Sequence, residues 1–488
     1  MEITFFEYSE PLFDDQESGD LDRKTISNSG ISGSHFMGFA AHAIYQKYRK
    51  IILKYDRVCI LCGNGNNGGD GLALAFFLIQ EGIRPFVYLK EGALSEESTT
   101  YKKAFLNVGG EILPLENFLN SDWNRESERI FLVDALLGTG FRFPLRSPLD
   151  AILSEIKLRQ EKNPKKLFVL SLDVVSGFQE DSKPPFEADA LAEIGMRKWK
   201  NRFLPGKVKI SFHRIGFPIE STDKVLWKKI PQSILSKTLI RKEDSHKYKN
   251  GSLVIVGGSQ GMAGAALSSL LAFHELGGGI SLLLTPSEKT VRNVLKKDPS
   301  LMVNAIPESS EILSNPFVQK TSGFLLGPGL KTEECPIFPS PEDKFCVIDA
   351  GAISVYKNRV LHENVLMTPH TGELENLLDT KIKSVDHGLS LAKEYSKNFK
   401  LYILWKRHSS FLIDPNGKIF LWDQPEPKLA VMGTGDLLAG IVSFFLSRRF
   451  TIPEAVQRSL SLLTQAAKKS KGFPTASGIR KLLTKGGD

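Results

Sequence analysis

Gly433-Thr434-Gly435-Asp436 is the stretch of this sequence best suited to chemistry. The apolar run behind it, residues 436–446, predicts a buried helix. The unpaired amides at the start of such a helix, and its dipole, attract anions. Glycines on either side of Thr434 let a phosphate approach without a Cβ in the way. An aspartate at that point would repel a phosphate. It makes sense if Asp436 takes the proton of a hydroxyl that attacks the phosphoryl group. The plain alternative is a glycine turn with Asp436 in the first turn of a helix, where it suits the dipole.

A second group lies in the first half: Asn66, Asn67 and Asp70; Asp134, Gly138, Thr139 and Gly140; Asp173 and Ser176. Carboxylates, amide oxygens and a hydroxyl, with no His or Cys among them, suit a hard cation or sugar hydroxyls. Taken singly, each is equally at home as a cap or turn residue.

The elements that must position these groups are short apolar strands. In the first half they are read at 54–62, 84–89, 130–133 and 167–172, with helices at 34–48, 72–80 and 96–106. In the second half they are read at 252–256, 280–284, 323–326, 345–348, 365–367 and 401–405. Most of them end in a polar or glycine-bearing loop. Strands alternating with helices predict an α/β fold, a parallel sheet with helices on both faces, in each half. In such sheets the loops at the C-terminal strand ends line the ligand crevice. The first half, with a strand, a glycine-rich turn and a helix in sequence, reads as Rossmann-like.

A chain of 488 residues exceeds what one core usually holds. Domains are expected at 1–225 and 226–488, with the linker inside the weakly patterned segment 214–245. The composition, 41% hydrophobic and 24% charged, is that of a globular protein. A net charge of +8 suits anionic small molecules as well as nucleic acid and decides neither. Residues 196–206 mix basic and aromatic side chains, but one short patch reads as a solvated face or a phosphate contact rather than a nucleic-acid surface. Cys59 and Cys62 form a C-x-x-C inside what reads as a buried strand, with no second ligand pair nearby. Four cysteines, no basic-then-apolar leader from Met1 and no apolar run long enough for a bilayer predict a cytoplasmic protein.

Asn66 to Gly71, Asp134 to Gly140 and Leu172 to Gly177 occur in the order that resembles the N-terminal half of the bifunctional NAD(P)H-hydrate repair enzymes. His246-Lys247, Gly257 to Ala266, Gly327 to Leu330, Thr368 to His370, Lys406 and Gly433 to Asp436 resemble that family's C-terminal half, a ribokinase-like domain. Departures fall at Ser27, where the family usually has a glutamate, and at Val175, Lys331 and Met432.

The resemblance implies two three-layer αβα domains. The first would epimerise the R and S forms of NADH hydrate and NADPH hydrate. The second would dehydrate the S form with ADP. Asn66, Asn67, Gly68, Gly69, Asp70, Gly138, Thr139, Gly140, Phe141, Arg142, Phe143 and Pro144 would hold the hydrate, with Asp173 as acid/base. Asn67, Asp134 and Ser176 would coordinate potassium. Ala265, Gly329, His370 and the catalytic Asp436 would face the hydrate in the second domain. Lys406, Arg407, His408, Ser409, Ser410, Gly433, Thr434 and Gly435 would face ADP, with magnesium as a further candidate cofactor. His370 carries two readings, a ligand contact and a cap on a turn. A homo-oligomer is expected, with small molecules and neither nucleic acid nor membrane as partners. The alternative reading is a ribokinase-like kinase for a small metabolite with an N-terminal nucleotide-binding regulatory module.

Overall fold

The computed structural model describes residues 8–121, 127–180, 182–241, 243–306, 309–337 and 341–484. The expectation for the leader, Met1 to Glu7, lies outside the described residues. The chain divides into two compact units, Pro11–Thr222 and Asp223–Asp488, the latter joined by the segment through Glu10.

The first unit is built on a seven-stranded sheet. Its spatial order is Ile112–Pro114, Phe86–Leu89, Arg57–Cys62, Ile130–Ala135, Leu167–Leu172, Ala190–Ile194 and Lys209–His213, every pair parallel. Alternate residues of Arg57–Cys62 enter two different cores. Val58, Ile60 and Cys62 pack with the helices Gly33–Ile52 and Asn66–Gln80, and Cys59 and Leu61 pack with Leu149–Lys162. A strand buried on both faces is what a parallel sheet demands. The C-x-x-C is therefore core, with both thiols fully buried.

The second unit holds an eleven-stranded sheet. Ile280–Thr285, Ser252–Val256, Gly323–Leu326, Phe345–Ile348, Val365–Met367 and Tyr402–Trp405 run parallel in that spatial order, with Met302–Ala305 beyond the first of them. The antiparallel hairpin Ser410–Ile413 and Ile419–Trp422 follows, turning at Asp414-Pro-Asn-Gly417. Lys224–Trp227 and Ser9–Pro11 complete that edge. The helix Thr434–Ser447 is buried from Leu437 onward. It packs so closely on Ala263–Glu275 that a Cβ at Gly440 would stand 2.4 Å from the Ser269 backbone oxygen. Ser269 Oγ in turn donates to the Asp436 backbone oxygen at 2.8 Å.

Several expectations need correction. The segment 214–245 is not simply a linker: Val225, Trp227, Ile230 and Leu235 are buried in the second unit's core, on the strand Lys224–Trp227 and the helix Gln232–Leu239. The segment through Glu10 groups with the second unit, although the sequence assigns it to the first, because Ser9–Pro11 adds a strand to that sheet. The helix expected from Leu72 begins at Asn66, so most of the glycine-rich run is helical. The basic stretch 196–206 is not a solvated face: Lys198, Trp199 and Asn201 are buried, and Arg202 is paired with Glu193. No helix among the described residues is long and apolar enough to cross a membrane.

Candidate functional site

In the second unit three neighbouring strand ends meet. Phe345–Ile348 delivers Asp349, Val365–Met367 delivers Thr368, and Tyr402–Trp405 delivers Lys406. Lys406 Nζ and Thr368 Oγ1 both donate to Asp349 Oδ1, at 2.7 and 2.6 Å. Burial works against the ammonium of Lys406, but Asp349, Glu373 and Asp436 outweigh it and hold its pKa above the ordinary lysine value. A Cβ on Gly435 would lie 3.6 Å from Lys406 Nζ, so the ammonium sits at the start of the Thr434–Ser447 helix. Gly433 precedes that helix with φ +90°, a backbone suited to glycine. The Asp436 carboxylate has no hydrogen-bond or ion-pair partner among the described residues. Burial, reinforced by Asp349 and only partly offset by Lys406, pushes its pKa up to about 6. A free carboxylate poised near neutrality, beside an ammonium and a helix start, can take a proton next to a bound anion.

The other expected residues here divide. Gly329 and Ala265 touch: a Cβ at Gly329 would come within 2.9 Å of the Ala265 Cβ. Ser259 N donates to Gly329 O at 2.8 Å, closing the two glycine loops on each other. His370 caps the helix Thr371–Leu378, its Nδ1 accepting from Glu373 N at 3.2 Å, while the ring stays exposed. Thr434 Oγ1 donates to Leu429 O and Val431 O, so its side chain holds the loop. Arg407 lies over the Trp405 ring at 4.8 Å, Ser409 donates to Asp423, Ser410 bonds the Arg407 backbone, and His408 is exposed. Of residues 406–410, Lys406 alone is tied to Asp349.

The first unit carries a cavity of about 740 Å³ at its strand ends. Asn66, Asn67, Asp70, Asp173 and the loop Gly138, Thr139, Gly140 and Phe141 line it. Gly68, Gly69, Arg142, Phe143 and Pro144 are not among its walls. Gly68 and Gly69 serve packing: a Cβ on Gly68 would stand 1.9 Å from Gly63 O, and one on Gly69 2.3 Å from Ser98 Oγ. Asp173 has φ +62°, an unusual backbone for a non-glycine residue, and its Oδ1 accepts from Ile194 N at 3.0 Å and from the Lys198 ammonium. Lys198 is anchored in turn, its amide donating to the fully buried Glu193 at 2.7 Å.

Beneath the cavity, Asp134 is fully buried. It accepts from Ser171 Oγ at 2.7 Å and from Ser176 N and Oγ at 3.0 and 2.5 Å. Burial raises its pKa, against these hydrogen bonds. Asn67 Nδ2 donates to Leu137 O at 2.8 Å, which leaves its buried Oδ1 without a partner. Leu137 N in turn donates to Ser176 Oγ at 3.0 Å, and an orphaned amide oxygen is the kind of donor a hard cation takes.

Sequence reasoning missed Asp22 and Lys198, which also line this cavity. Asp22 lies on the helix Asp15–Ser29, whose buried positions, Ser18, Leu21 and Thr25, are too few and too polar to show a helical apolar stripe.

Two α/β units, each with its polar groups gathered at strand ends, place the chain among the α/β enzymes. A model of the NAD(P)H-hydrate dehydratase family matches residues 253–481, and one for the YjeF-related protein N-terminus matches 33–198. The bifunctional NAD(P)H-hydrate repair enzyme Nnr of Dictyoglomus turgidum is 26% identical over 468 residues, 88% of each chain. The proteins of that name from Coxiella burnetii and Escherichia coli are 25% and 28% identical, over 94% of each chain in the first case and 88% of this chain and 84% of the other in the second. An ADP/ATP-dependent NAD(P)H-hydrate dehydratase from Bacillus subtilis, co-crystallised with ATP and Mg2+, aligns with 51% of this chain and 94% of its own at 22% identity and a TM-score of 0.44. The chain belongs to the family of bifunctional NAD(P)H-hydrate repair enzymes.

Proposed function

We propose that this protein repairs hydrated NADH and NADPH, epimerising R and S hydrates in its first unit and dehydrating the S form with ADP in its second. The observation that carries the reading is Asp436: an unpartnered carboxylate with a pKa of about 6 in the first turn of a helix, facing the Lys406–Asp349 pair. Hydroxide is a poor leaving group from the hydrated ring. When bound, ADP supplies the phosphoryl group that makes the ring hydroxyl a good one. Asp436 takes the proton of that hydroxyl. The first-turn amides at Gly435 and Asp436 and the Lys406 ammonium face the charge that develops on the phosphoryl oxygens. Magnesium is the expected companion of the diphosphate.

In the first unit, Asp173, aimed by Lys198 and the Ile194 amide, serves as an acid/base for loss and return of the hydroxyl. Asn67, Asp134 and Ser176 would hold potassium, whose charge would offset the buried carboxylate. Four cysteines, none in a disulfide, suit a reducing, cytoplasmic setting for this reading. A homo-oligomer is the expected assembly, to be measured by light scattering.

The test is incubation with S-NADH hydrate and ADP while the absorbance of regenerated NADH is followed. Regeneration that requires ADP is expected. A stable phosphorylated product, or no regeneration, would overturn the dehydratase reading. Conversion of R to S hydrate no faster than the spontaneous background would overturn the epimerase reading.

A further inference from the structure

The cavity of the first unit holds more acid than one acid/base group requires. Four carboxylates, Asp22, Asp70, Glu97 and Asp173, line it together with Arg23, Lys90 and the Lys198 ammonium. They arrive on separate elements. Asp173 follows the strand Leu167–Leu172, Asp70 is on the helix Asn66–Gln80, and Asp22 comes from the helix Asp15–Ser29, outside the strand-end loops. Lys198 is committed to Asp173. Asp22 has no hydrogen-bond or ion-pair partner among the described residues. Ser18, one turn earlier on the same helix, also lines the cavity, and its buried hydroxyl is likewise without a partner. A helix face that presents an unpartnered carboxyl and an unpartnered hydroxyl to a cavity is suited to a polar ligand.

Epimerisation sets a stereochemical demand that one carboxyl meets poorly. The hydroxyl leaves from one face of the ring and water must return to the other. We propose that Asp22 is the second acid–base group of the epimerising site, exchanging protons with the ring hydroxyl on the face opposite to Asp173. This rests on the epimerase reading of the first unit. In one direction the protonated carboxyl of Asp22 gives its proton to the hydroxyl. The carbon–oxygen bond breaks, water departs, and the ring-nitrogen lone pair forms a carbon–nitrogen double bond. Water then adds to the other face, the electron pair returns to nitrogen, and the carboxylate of Asp173 takes the surplus proton. The reverse direction exchanges the two roles, and nothing is oxidised or reduced.

The surroundings of Asp22 suit it to the acid's part. Asp22 faces Asp70, Glu97, Asp173 and Lys198 from neighbouring elements and Arg23 from its own helix. Burial first, then Asp173 and Glu97, raise its pKa against the opposing pull of Lys198 and Arg23, which favours the protonated form. Asp173 takes the hydrogen bonds of the Lys198 ammonium and the Ile194 amide.

The experiment follows interconversion of R- and S-NADH hydrate by chromatography, without ADP, for wild type, D22N, D70N and D173N across pH. D22N is expected to slow interconversion roughly 100-fold, as D173N does. It should also remove the decline in rate at high pH that reports loss of the acid's proton. D22E, which keeps a carboxyl, should recover a measurable part of the rate, and it replaces D22N if that variant has no cooperative melting transition. An active wild type with D22N within about threefold of it and an unchanged pH profile overturns the proposal and leaves the epimerase reading standing. So does loss of the high-pH decline in D70N rather than D22N. A wild type no faster than the spontaneous background overturns both.

Discussion

Lys406 Nζ donates to Asp349 Oδ1 at 2.7 Å across the end of the intervening strand Val365–Met367, which adds Thr368 to the same oxygen. The ammonium is therefore engaged with Asp349, and Asp436, close to both, keeps its carboxylate unpartnered.

The base role of Asp436 requires the ionised form. With its pKa raised to about 6, kcat/KM for ADP-dependent dehydration should climb tenfold per pH unit below that value and level off above it. Asp436→Asn should lose about 10²- to 10⁴-fold of activity at pH 8. An Asn variant within threefold of wild type would remove Asp436 from the mechanism.

The same carboxyl should weaken the fold where it works best. A folded pKa of about 6 exceeds the unfolded value, so the folded state binds more protons in the window between them. Unfolding free energy then falls as pH rises through that window, by about 3 kcal/mol. Asp436→Asn should accordingly melt higher than wild type at pH 8, with the difference vanishing near pH 4. Melting curves at the two pH values decide it.

Removing the ammonium leaves Asp349 buried and without its countercharge. Lys406→Met should cost about 3 kcal/mol of stability. It should also raise KM for ADP at least tenfold, which initial-rate kinetics at varied ADP measure. A variant with wild-type KM would take Lys406 out of phosphate binding.

At Gly440 the contact is with backbone, which cannot swing aside. A Cβ there would stand 2.4 Å from Ser269 O, so Gly440→Ala should destabilise by about 2 kcal/mol through overpacking. Denaturant titration of the two proteins measures it.

If Asn67 Oδ1 faces a monovalent cation, potassium chloride should raise the melting temperature above that in choline chloride at equal ionic strength. Asn67→Ala should abolish the difference. Equal melting temperatures in the two salts would end the potassium assignment.

The strand ends were the legible part of this sequence. Ser252–Val256, Gly323–Leu326, Phe345–Ile348 and Leu167–Leu172 stand where their apolar runs put them, because parallel strands are buried on both faces and read as unbroken hydrophobic stretches. Pairings between distant positions were not legible. Asp349 is plainly a strand-end acid, but nothing local ties it to Lys406, 57 residues on. Lys198 looks like surface because its partners, Glu193 and Asp173, come from the strand Ala190–Ile194 and from another strand's end. The hairpin at Asp414-Pro-Asn-Gly417 has a local signal, a Pro-Asn-Gly turn between two short apolar runs. His370 shows the reverse: a residue type suggesting ligation whose Nδ1 is spent on a helix cap.

Ser9–Pro11 forms the outer edge of the eleven-stranded sheet beside Lys224–Trp227, and Lys228 pairs there with Glu10 at 2.6 Å. The epimerase unit is thus an insertion in the dehydratase unit, covalently tethered at both of its ends. A fragment starting at Asp223 would lack its flanking strand and present a bare, pairing-competent edge to solvent. Co-expression of a peptide carrying Ser9–Pro11 should improve the solubility of such a fragment, so that gene dissection of the two activities calls for three pieces rather than two.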